Sequence, residues 1–235
     1  MDTEHEREHE REREHADSPW QFAPDPVKDV VLDAKGLRAL AHPVRVQLVG
    51  LLRTHGPSTA TRLADRTGLT SGATSYHLRQ LAAAGFVEED AGRGNARERW
   101  WRAVHRSTWV AHAEMAEHEP EATTAYLQSV AAVYAQRTQQ VLNEYPSLPR
   151  AWQEASDMSD VPLRLTPQET ERLRDELRAV VGRYRRDTPE EAAGAPEGSE
   201  RVSLITLVLP EPGIPAAGNG TGPENGDGNG PEGEA

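Results

Sequence analysis

Between residues 33 and 106, the order of helix-forming and strand-forming segments leaves few folds open, because the turns that join them are short. The first two segments are helical, since apolar residues recur three or four positions apart at Leu37, Leu40, Val44, Leu48, Leu51 and Leu52. Pro43 interrupts this pattern and suits the first turn of a helix. The pattern therefore predicts a short helix that ends near Leu40 and a second helix from Pro43 to Thr54, with His42 as a hinge or cap.

Two further helices are predicted after the turn His55-Gly56-Pro57. Ser58 has the hydroxyl that caps a helix start, so a third helix is expected over residues 59–66. A tight turn at residues 66–69 precedes the fourth helix, which Thr70 or Ser71 would cap and which reaches Ala84. Gly85 is the residue type that ends a helix.

A predicted hairpin follows the fourth helix. Residues 86–90 and 99–104 have the length of strands, and the loop between them, residues 91–98, is rich in glycine and arginine. Helices, a turn, a further helix and a hairpin with a basic tip form the order of a winged helix-turn-helix. In that arrangement a braced helix enters the major groove of DNA, and the hairpin reaches a neighbouring groove or phosphate line.

The fourth helix has two contrasting faces. Thr74, Leu78 and Leu81 share one side and are expected to pack on Leu48, Leu52 and Leu63. The other side carries Ser71, Gly72, Ser75, Tyr76 and Arg79, and His77 lies between the two, suited either to packing or to a phosphate contact. No Asp or Glu occurs from Thr70 to Val87. A helix exposed only to water usually carries several acids, so this face is predicted to meet a polyanion.

The charge distribution supports the same partner. The chain has a formal net charge of −12, which by itself argues against nucleic acid. Residues 35–106, however, hold 12 Lys or Arg and 5 Asp or Glu, a net charge of +7. A basic block inside an acidic chain predicts a polyanion partner for that block, here double-stranded DNA.

Two motifs in this block resemble those of ArsR-type winged-helix repressors. Residues 69–81 and the following Gly85-Phe86-Val87 are similar to the family's recognition-helix signature, and residues 39–45 are similar to its opening motif. The resemblance covers about residues 37–105. It implies a bacterial transcription regulator that binds DNA as a homodimer, with these DNA-facing residues: Ser71, Gly72, Ser75, Tyr76, His77 and Arg79 in the helix, and Arg93 and Arg97 in the wing.

The sequence departs from metal-sensing members of that family. The chain has no cysteine, so the cysteine sensor in the helix that matches residues 59–66 is absent. An alternative cluster of ligand-type residues follows the hairpin but lacks the family's spacing: His105, His112, Glu114, Glu117, His118 and Glu121. Histidine and carboxylates bind zinc without cysteine, so metal binding by this cluster stays open. We expect no cofactor and no catalytic residues, because no nucleophile–base set, P-loop or dinucleotide motif is found. A small-molecule effector is left open.

The rest of the chain divides by composition. We expect a disordered charged tail at 1–28, the winged domain at 29–108, a dimerisation or effector region at 109–210 and a Gly/Pro/Asn/Glu tail at 211–235. The third region should contain a long helix, 122–145, and a strand–helix–strand unit with strands at Leu163–Leu165 and Val202–Leu209 around a helix capped by Thr166. The predicted class is thus α+β, mainly α.

The predicted function is a sequence-specific regulator, expected to be a repressor that reads an inverted repeat. No stretch approaches the ~20 apolar residues of a membrane span, and we expect a cytoplasmic protein. The alternative is a winged-helix protein-interaction module without specific DNA binding, because the acidic remainder of the chain could suit a basic partner.

Overall fold

The computed structural model describes residues 25, 27–93, 98–185, 187 and 189–213. The chain divides into two compact units, Met1–Pro162 and Leu163–Ala235. Arg97 of the predicted wing lies outside the described residues, as do residues 1–24 and 26 of the tail predicted at 1–28 and residues 214–235 of the tail predicted at 211–235.

The four helices predicted for the first unit are confirmed. They are α1 (Ala34–Leu40), α2 (Pro43–His55), α3 (Ala60–Thr67) and α4 (Ser71–Ala83). Their apolar faces meet in one core with Leu37, Leu48, Leu63, Leu78 and Leu81, all of them at most 1% exposed. The apolar periodicity of the sequence therefore identified the buried face of each helix correctly.

Local hydrogen bonds explain where these helices begin. Pro43 occupies the first turn of α2, and His42 caps it by accepting a hydrogen bond from the Val44 amide at its Nδ1, 3.2 Å away. The cap of α3 is Thr59, which accepts from the Arg62 amide, so the prediction that Ser58 caps this helix was wrong by one residue. Ser58 instead pairs in a strand opposite Trp101. Thr70 caps α4 as predicted.

Glycine sets the angle between α3 and α4. Gly68 follows the last residue of α3 with a φ of +70°, a left-handed conformation that side chains with a Cβ disfavour. Its amide donates to the carbonyl of Ala64, which ends α3 and turns the chain towards α4 within three residues. This turn places the start of α4 beside the start of α3.

The wing is an antiparallel sheet of three strands in the order β2 (Ser58–Thr59), β4 (Trp100–Ala103), β3 (Val87–Glu89). The two long strands match the predicted hairpin. The short strand β2 comes from the turn before α3 and fastens the hairpin to the helices. Trp101 on β4 is 5% exposed and belongs to the core, which anchors the wing.

A second small sheet joins residues on either side of the winged domain. Strand β1 (Asp29–Val31) runs parallel to β5 (Ser107–Trp109). Asp29 is buried and accepts hydrogen bonds from Arg106 and from the Ser107 hydroxyl. Burial alone raises the pKa of Asp29, but the hydrogen bonds from the Asp25 amide, Arg106 and Ser107 and the charge of Arg106 outweigh it and lower the pKa to about 2.

Two helices complete the packing around this core. They are α5 (His112–His118) and α6 (Pro120–Glu144), the latter matching the long helix predicted from about residue 122 to 145. The first half of α6 packs on α1 and α2 through Tyr126 and Val133, which are buried. An ion pair of 2.6 Å between Arg38 and Glu119 ties α1 to the start of α6. A short helix, α7 (Arg150–Ala155), follows.

The second unit contains helix α8 (Pro167–Val181), with the predicted capping box of Thr166 and Glu169, and the short helix α9 (Pro189–Ala193). The strands predicted at Leu163–Leu165 and Val202–Leu209 are not formed. A strand needs a hydrogen-bonded neighbour, and neither segment has one among the described residues. Their leucines are 41–75% exposed. The apolar residues of these two segments therefore gave a wrong prediction of strands.

Among the helices that the structure describes, none combines the length and the apolar character that a membrane span needs.

Candidate nucleic-acid interface

Helix α4 turns one face into the core and the other outward, as its sequence predicts. Thr74, Leu78 and Leu81 are each fully buried. On the opposite side Ser71, Gly72, Tyr76 and Arg79 are exposed and Ser75 is half-buried. A Cβ added at Gly72 would have no heavy atom within 4 Å, so the first turn of the helix is open to close approach. The outward face is polar and uncrowded.

This face borders a notch of about 410 Å³ between the start of α3, the outward side of α4 and strand β4. Ser71, Ser75 and Arg79, three of the predicted DNA-facing residues, line it together with Thr61 and Arg99. The hydroxyl oxygens of Thr61 and Ser71 lie 3.4 Å apart. Hydroxyl and guanidinium donors are the groups that contact phosphate oxygens and base edges. The fold thus gathers anion-binding groups from three elements at one place.

Arg79 is the cation that α4 contributes to this notch. Its Nε donates to the backbone carbonyl of Ser75 at 3.2 Å, which holds the side chain along the helix surface. Glu98 also lines the notch, but no carboxylate of the described residues forms an ion pair with Arg79. The guanidinium is exposed, so it is available to a polyanion without first losing a salt bridge.

The arginines of the wing differ from Arg79, because each described one has an acidic neighbour. Arg93 lies 3.3 Å from Asp90, Arg99 3.1 Å from Glu89, and Arg102 2.8 Å from Glu88. Exposed pairs of this kind contribute only about 0–1 kcal/mol, so a phosphate can displace the acid at little cost. Arg97, the other predicted wing residue, is among the residues that the structure does not describe.

His77 belongs to a cluster of basic side chains between α2 and α4, together with His42 and Arg45. Its ring centroid lies 4.7 Å from that of His42 and 5.4 Å from that of Tyr76. Burial lowers the pKa of His77, and the charges of His42 and Arg45 lower it further. Burial, followed by the charge of Arg45, also lowers the pKa of His42. Of the two alternatives for His77, the structure provides packing against His42, while its half-buried position leaves a phosphate contact open.

This cluster predicts a pH dependence of stability. Below pH 6.5, the ordinary histidine pKa, His42 and His77 become protonated in the unfolded chain. In the folded protein their pKa is lower, so they stay neutral to a lower pH. The free energy of unfolding should therefore be highest above pH 6.5 and fall as the pH decreases below it. Urea denaturation at pH 7.5, 6.5 and 5.5 measures this slope, and His77→Gln should make it shallower. His118→Gln, a change at the exposed end of α5, should keep the wild-type slope; an unchanged slope for His77→Gln would contradict the assignment.

One contributor to the notch, Thr61, is not among the DNA-facing residues predicted from the sequence, whereas Arg99 is one of the wing arginines for which the sequence favours a phosphate contact. Thr61 sits in the first turn of α3, a helix whose sequence looks merely like a brace. Arg99 looks in sequence like any other arginine of the wing, and only the pairing of β2 with β4 brings it beside α4. Arg62 is also engaged, since its guanidinium lies 4.9 Å from the centroid of the Trp100 ring. The sequence contains no pattern that predicts how close these side chains lie to α4 or to Trp100.

The ligand-type residues after the hairpin are spread over a loop and two helices. Glu114, Glu117 and His118 lie on α5, and His118 Nδ1 lies 2.9 Å from the backbone carbonyl of Glu114. Within the described ranges, no group of three or more histidine or carboxylate side chains is close enough to hold a metal ion.

Comparison with known proteins bears on the same part of the chain. No curated protein matched the sequence. Residues 40–90 match a family model described as a helix-turn-helix domain, a range that spans α2, α3, α4 and β3. The match and the arrangement of α3 and α4 agree that the chain carries a helix-turn-helix domain, which indicates DNA-binding transcription regulation.

Proposed function

We propose that this protein is a sequence-specific transcriptional repressor of the ArsR-type winged-helix class, which binds an inverted-repeat operator as a homodimer and has no catalytic activity. The observation that carries the proposal is the outward face of α4. It is polar, free of carboxylates and open at its first turn, and it holds Arg79 without an acidic partner among the described residues.

In this proposal α4 is the recognition helix. Ser71 and Gly72 let the helix start approach the base edges closely, and Ser75, Tyr76 and Arg79 follow on the same face. An arginine on this face donates to guanine O6 and N7 or to a phosphate. His77 contributes a phosphate contact from the edge of the face.

The wing supplies contacts outside the major groove. Arg93 and Arg97 lie in the basic loop at residues 91–98, and Arg99 stands at the base of the wing beside the notch. Their role is to bind phosphates, which strengthens binding without reading sequence. Replacing them should weaken binding to all duplexes by a similar factor.

The apolar surface of α6 supports a homodimer. Leu127, Val141 and Leu142 are 44–54% exposed on this helix. Exposed apolar residues repeated along one helix are typical of a subunit interface. A two-fold dimer would present two copies of α4 to the two halves of an inverted repeat.

The deciding experiment is selection of fragmented genomic DNA by the purified full-length protein at physiological salt, followed by sequencing. Enrichment of a few sites that share an inverted repeat is the expected result. Recovery of unselected DNA, or of none at several salt concentrations, would overturn the proposal and favour the protein-interaction module. Light scattering of the same sample tests the dimer independently of DNA.

A further prediction concerns the acidic N-terminal segment. Residues 1–18 hold eight Asp or Glu and three Arg, so they repel phosphates when DNA is near. A variant that lacks these residues should bind random duplex DNA more tightly at low salt, and the gain should shrink as salt screens the charges. Fluorescence anisotropy measures both. A control of equal length in which five of the eight acids become amides leaves three acids to balance the three arginines, and it should behave like the deletion. Unchanged affinity in both variants would refute the repulsion.

A further inference from the structure

A second cavity, which shares no lining residue with the notch, lies between α2, strand β5 and α6. Its volume is about 290 Å³, at the lower end of the range for small-molecule sites. Much of its wall is apolar, from Val46 and Val49 on α2 and Val130 and Val133 on α6. A cavity of this size and lining accommodates the apolar body of a small ligand.

The charged groups that line this cavity are all positive. They are Arg53 on α2, Arg106 before β5 and Arg137 on α6, and no Asp or Glu is among the lining residues. Asp29 neutralises one of the three, because its carboxylate pairs with Arg106 at 3.1 Å. Arg53 and Arg137 form no ion pair with a carboxylate of the described residues, although the charge of Asp29 also acts on Arg53. With three arginines and one nearby carboxylate, the cavity favours an anionic ligand.

Arg53 is the most enclosed of these cations. Its Nε donates to the backbone carbonyl of His105 at 2.8 Å and its Nη2 to the hydroxyl of Thr108 at 2.9 Å, both of them neutral acceptors. Burial lowers the pKa of Arg53 to about 10, so the side chain keeps its charge at neutral pH. Arg53 is half-buried, both of these acceptors are neutral and it forms no ion pair among the described residues, so an anion bound beside it would compensate its charge.

Tyr126 adds a neutral donor to the wall of the same cavity. Burial raises the pKa of Tyr126 to about 12, so its hydroxyl stays protonated. Tyr126 and Arg53 both line this cavity. A guanidinium next to a hydroxyl donor is a suitable pair for the two oxygens of a carboxylate.

We propose that this cavity binds a small amphipathic monocarboxylate, with the carboxylate at Arg53 and Tyr126 and the apolar body against the valines of α2 and α6. The site is separate from the DNA-facing residues. Its test needs no DNA, so its outcome is independent of whether the proposed regulatory function holds.

Isothermal titration calorimetry of the full-length protein tests the proposal with three carboxylates, hexanoate, phenylacetate and indole-3-acetate, each paired with its neutral amide. At least one carboxylate should bind saturably, and its amide should bind at least tenfold more weakly because it lacks the charge. Absence of saturable binding by all three, or equal affinity for acid and amide, would overturn the proposal.

Variants then locate the site. Gly50 lines the cavity from α2, and a Cβ built there has no heavy atom within 4 Å, so Gly50→Leu should fill open space without harming the helix. This variant should keep its thermal midpoint and lose at least tenfold in carboxylate affinity. Wild-type affinity in a folded Gly50→Leu protein would overturn the proposal.

Substitutions at two arginines of the cavity, Arg137 and Arg53, complete the test, and Arg150 outside the cavity serves as the control. Arg137→Gln should weaken carboxylate binding, whereas Arg150→Gln, at an exposed arginine of α7 paired only with Glu154 among the described residues, should not. Arg53→Gln should lose about tenfold and Arg53→Lys should recover part of it, since lysine restores the charge. Equal loss in the Arg137 and Arg150 variants would refute a specific role of the cavity's charge.

Discussion

Replacing Leu78 with alanine should lower the free energy of unfolding by about 2–5 kcal/mol, as buried leucine-to-alanine changes do. Leu78 is fully buried and joins α4 to the core that contains Leu48, Leu52 and Leu63. Its removal leaves a cavity under the helix that carries the outward-facing residues. The structure can relax only in part around such a cavity, because helices on several sides hold its walls.

Urea denaturation followed by circular dichroism measures this loss. Leu204→Ala is a matched control, because Leu204 is 67% exposed in the second unit and its truncation should change stability by less than about 0.5 kcal/mol. Similar losses in the two variants would show that α4 is not supported by the described core. DNA binding by Leu78→Ala should fall together with its folded fraction.

The second large effect is expected on DNA affinity. Arg79→Ala should lose about 1–3 kcal/mol of binding free energy, the amount of one good arginine–base contact. The reason is geometric, since Arg79 lies on the outward face of α4, lines the notch and is held along the helix by the Ser75 carbonyl. Truncation removes the cation and leaves the fold untouched, because the side chain is exposed.

The form of the loss identifies the contact. Relaxed preference at one operator position would mean that Arg79 reads a base, whereas a uniform loss with a shallower salt dependence would mean a phosphate. Competition binding at three salt concentrations separates the two. Arg150→Ala, the same change at an exposed site on α7, should keep wild-type affinity. If Arg79→Ala and the wild type bind DNA with equal affinity, Arg79 does not contribute to the interface.

Most of the helix-turn-helix could be predicted, because its signals are local. The signals at Pro43, Gly68 and Thr70 and the leucine periodicity act within one or two helical turns. Helices α2 to α4 begin and end within a residue or two of the predicted positions, and α1 ends at Leu40 as predicted. The buried and outward faces of α4 follow from the same spacing. The cap predicted at Ser58 is misplaced by one residue, because the helix begins at Ala60 and its N-cap position is therefore Thr59.

The second unit shows the opposite case. Leu163 and Leu165 alternate as in a strand, and Val202–Leu209 is an apolar run of strand length. The leucines of both segments nevertheless remain exposed and without strand partners among the described residues. Alternation states which side chains would share a face, but a sheet also needs a neighbour at hydrogen-bonding distance. That neighbour is a tertiary property, and the pattern contains no information about it.

The sequence by itself determined the helices of the helix-turn-helix domain, their buried faces and the polar, acid-free surface of α4, because caps, turns and apolar spacing act between residues close along the chain. Only the tertiary structure decided which cations stand free or paired. Among the described residues, Arg79 lines the notch without an ion pair, whereas Arg93, Arg99 and Arg102 each pair with an acid. Arg53 donates to neutral acceptors. Electrostatic interactions depend on distance and burial in space, and neither is written in the order of residues.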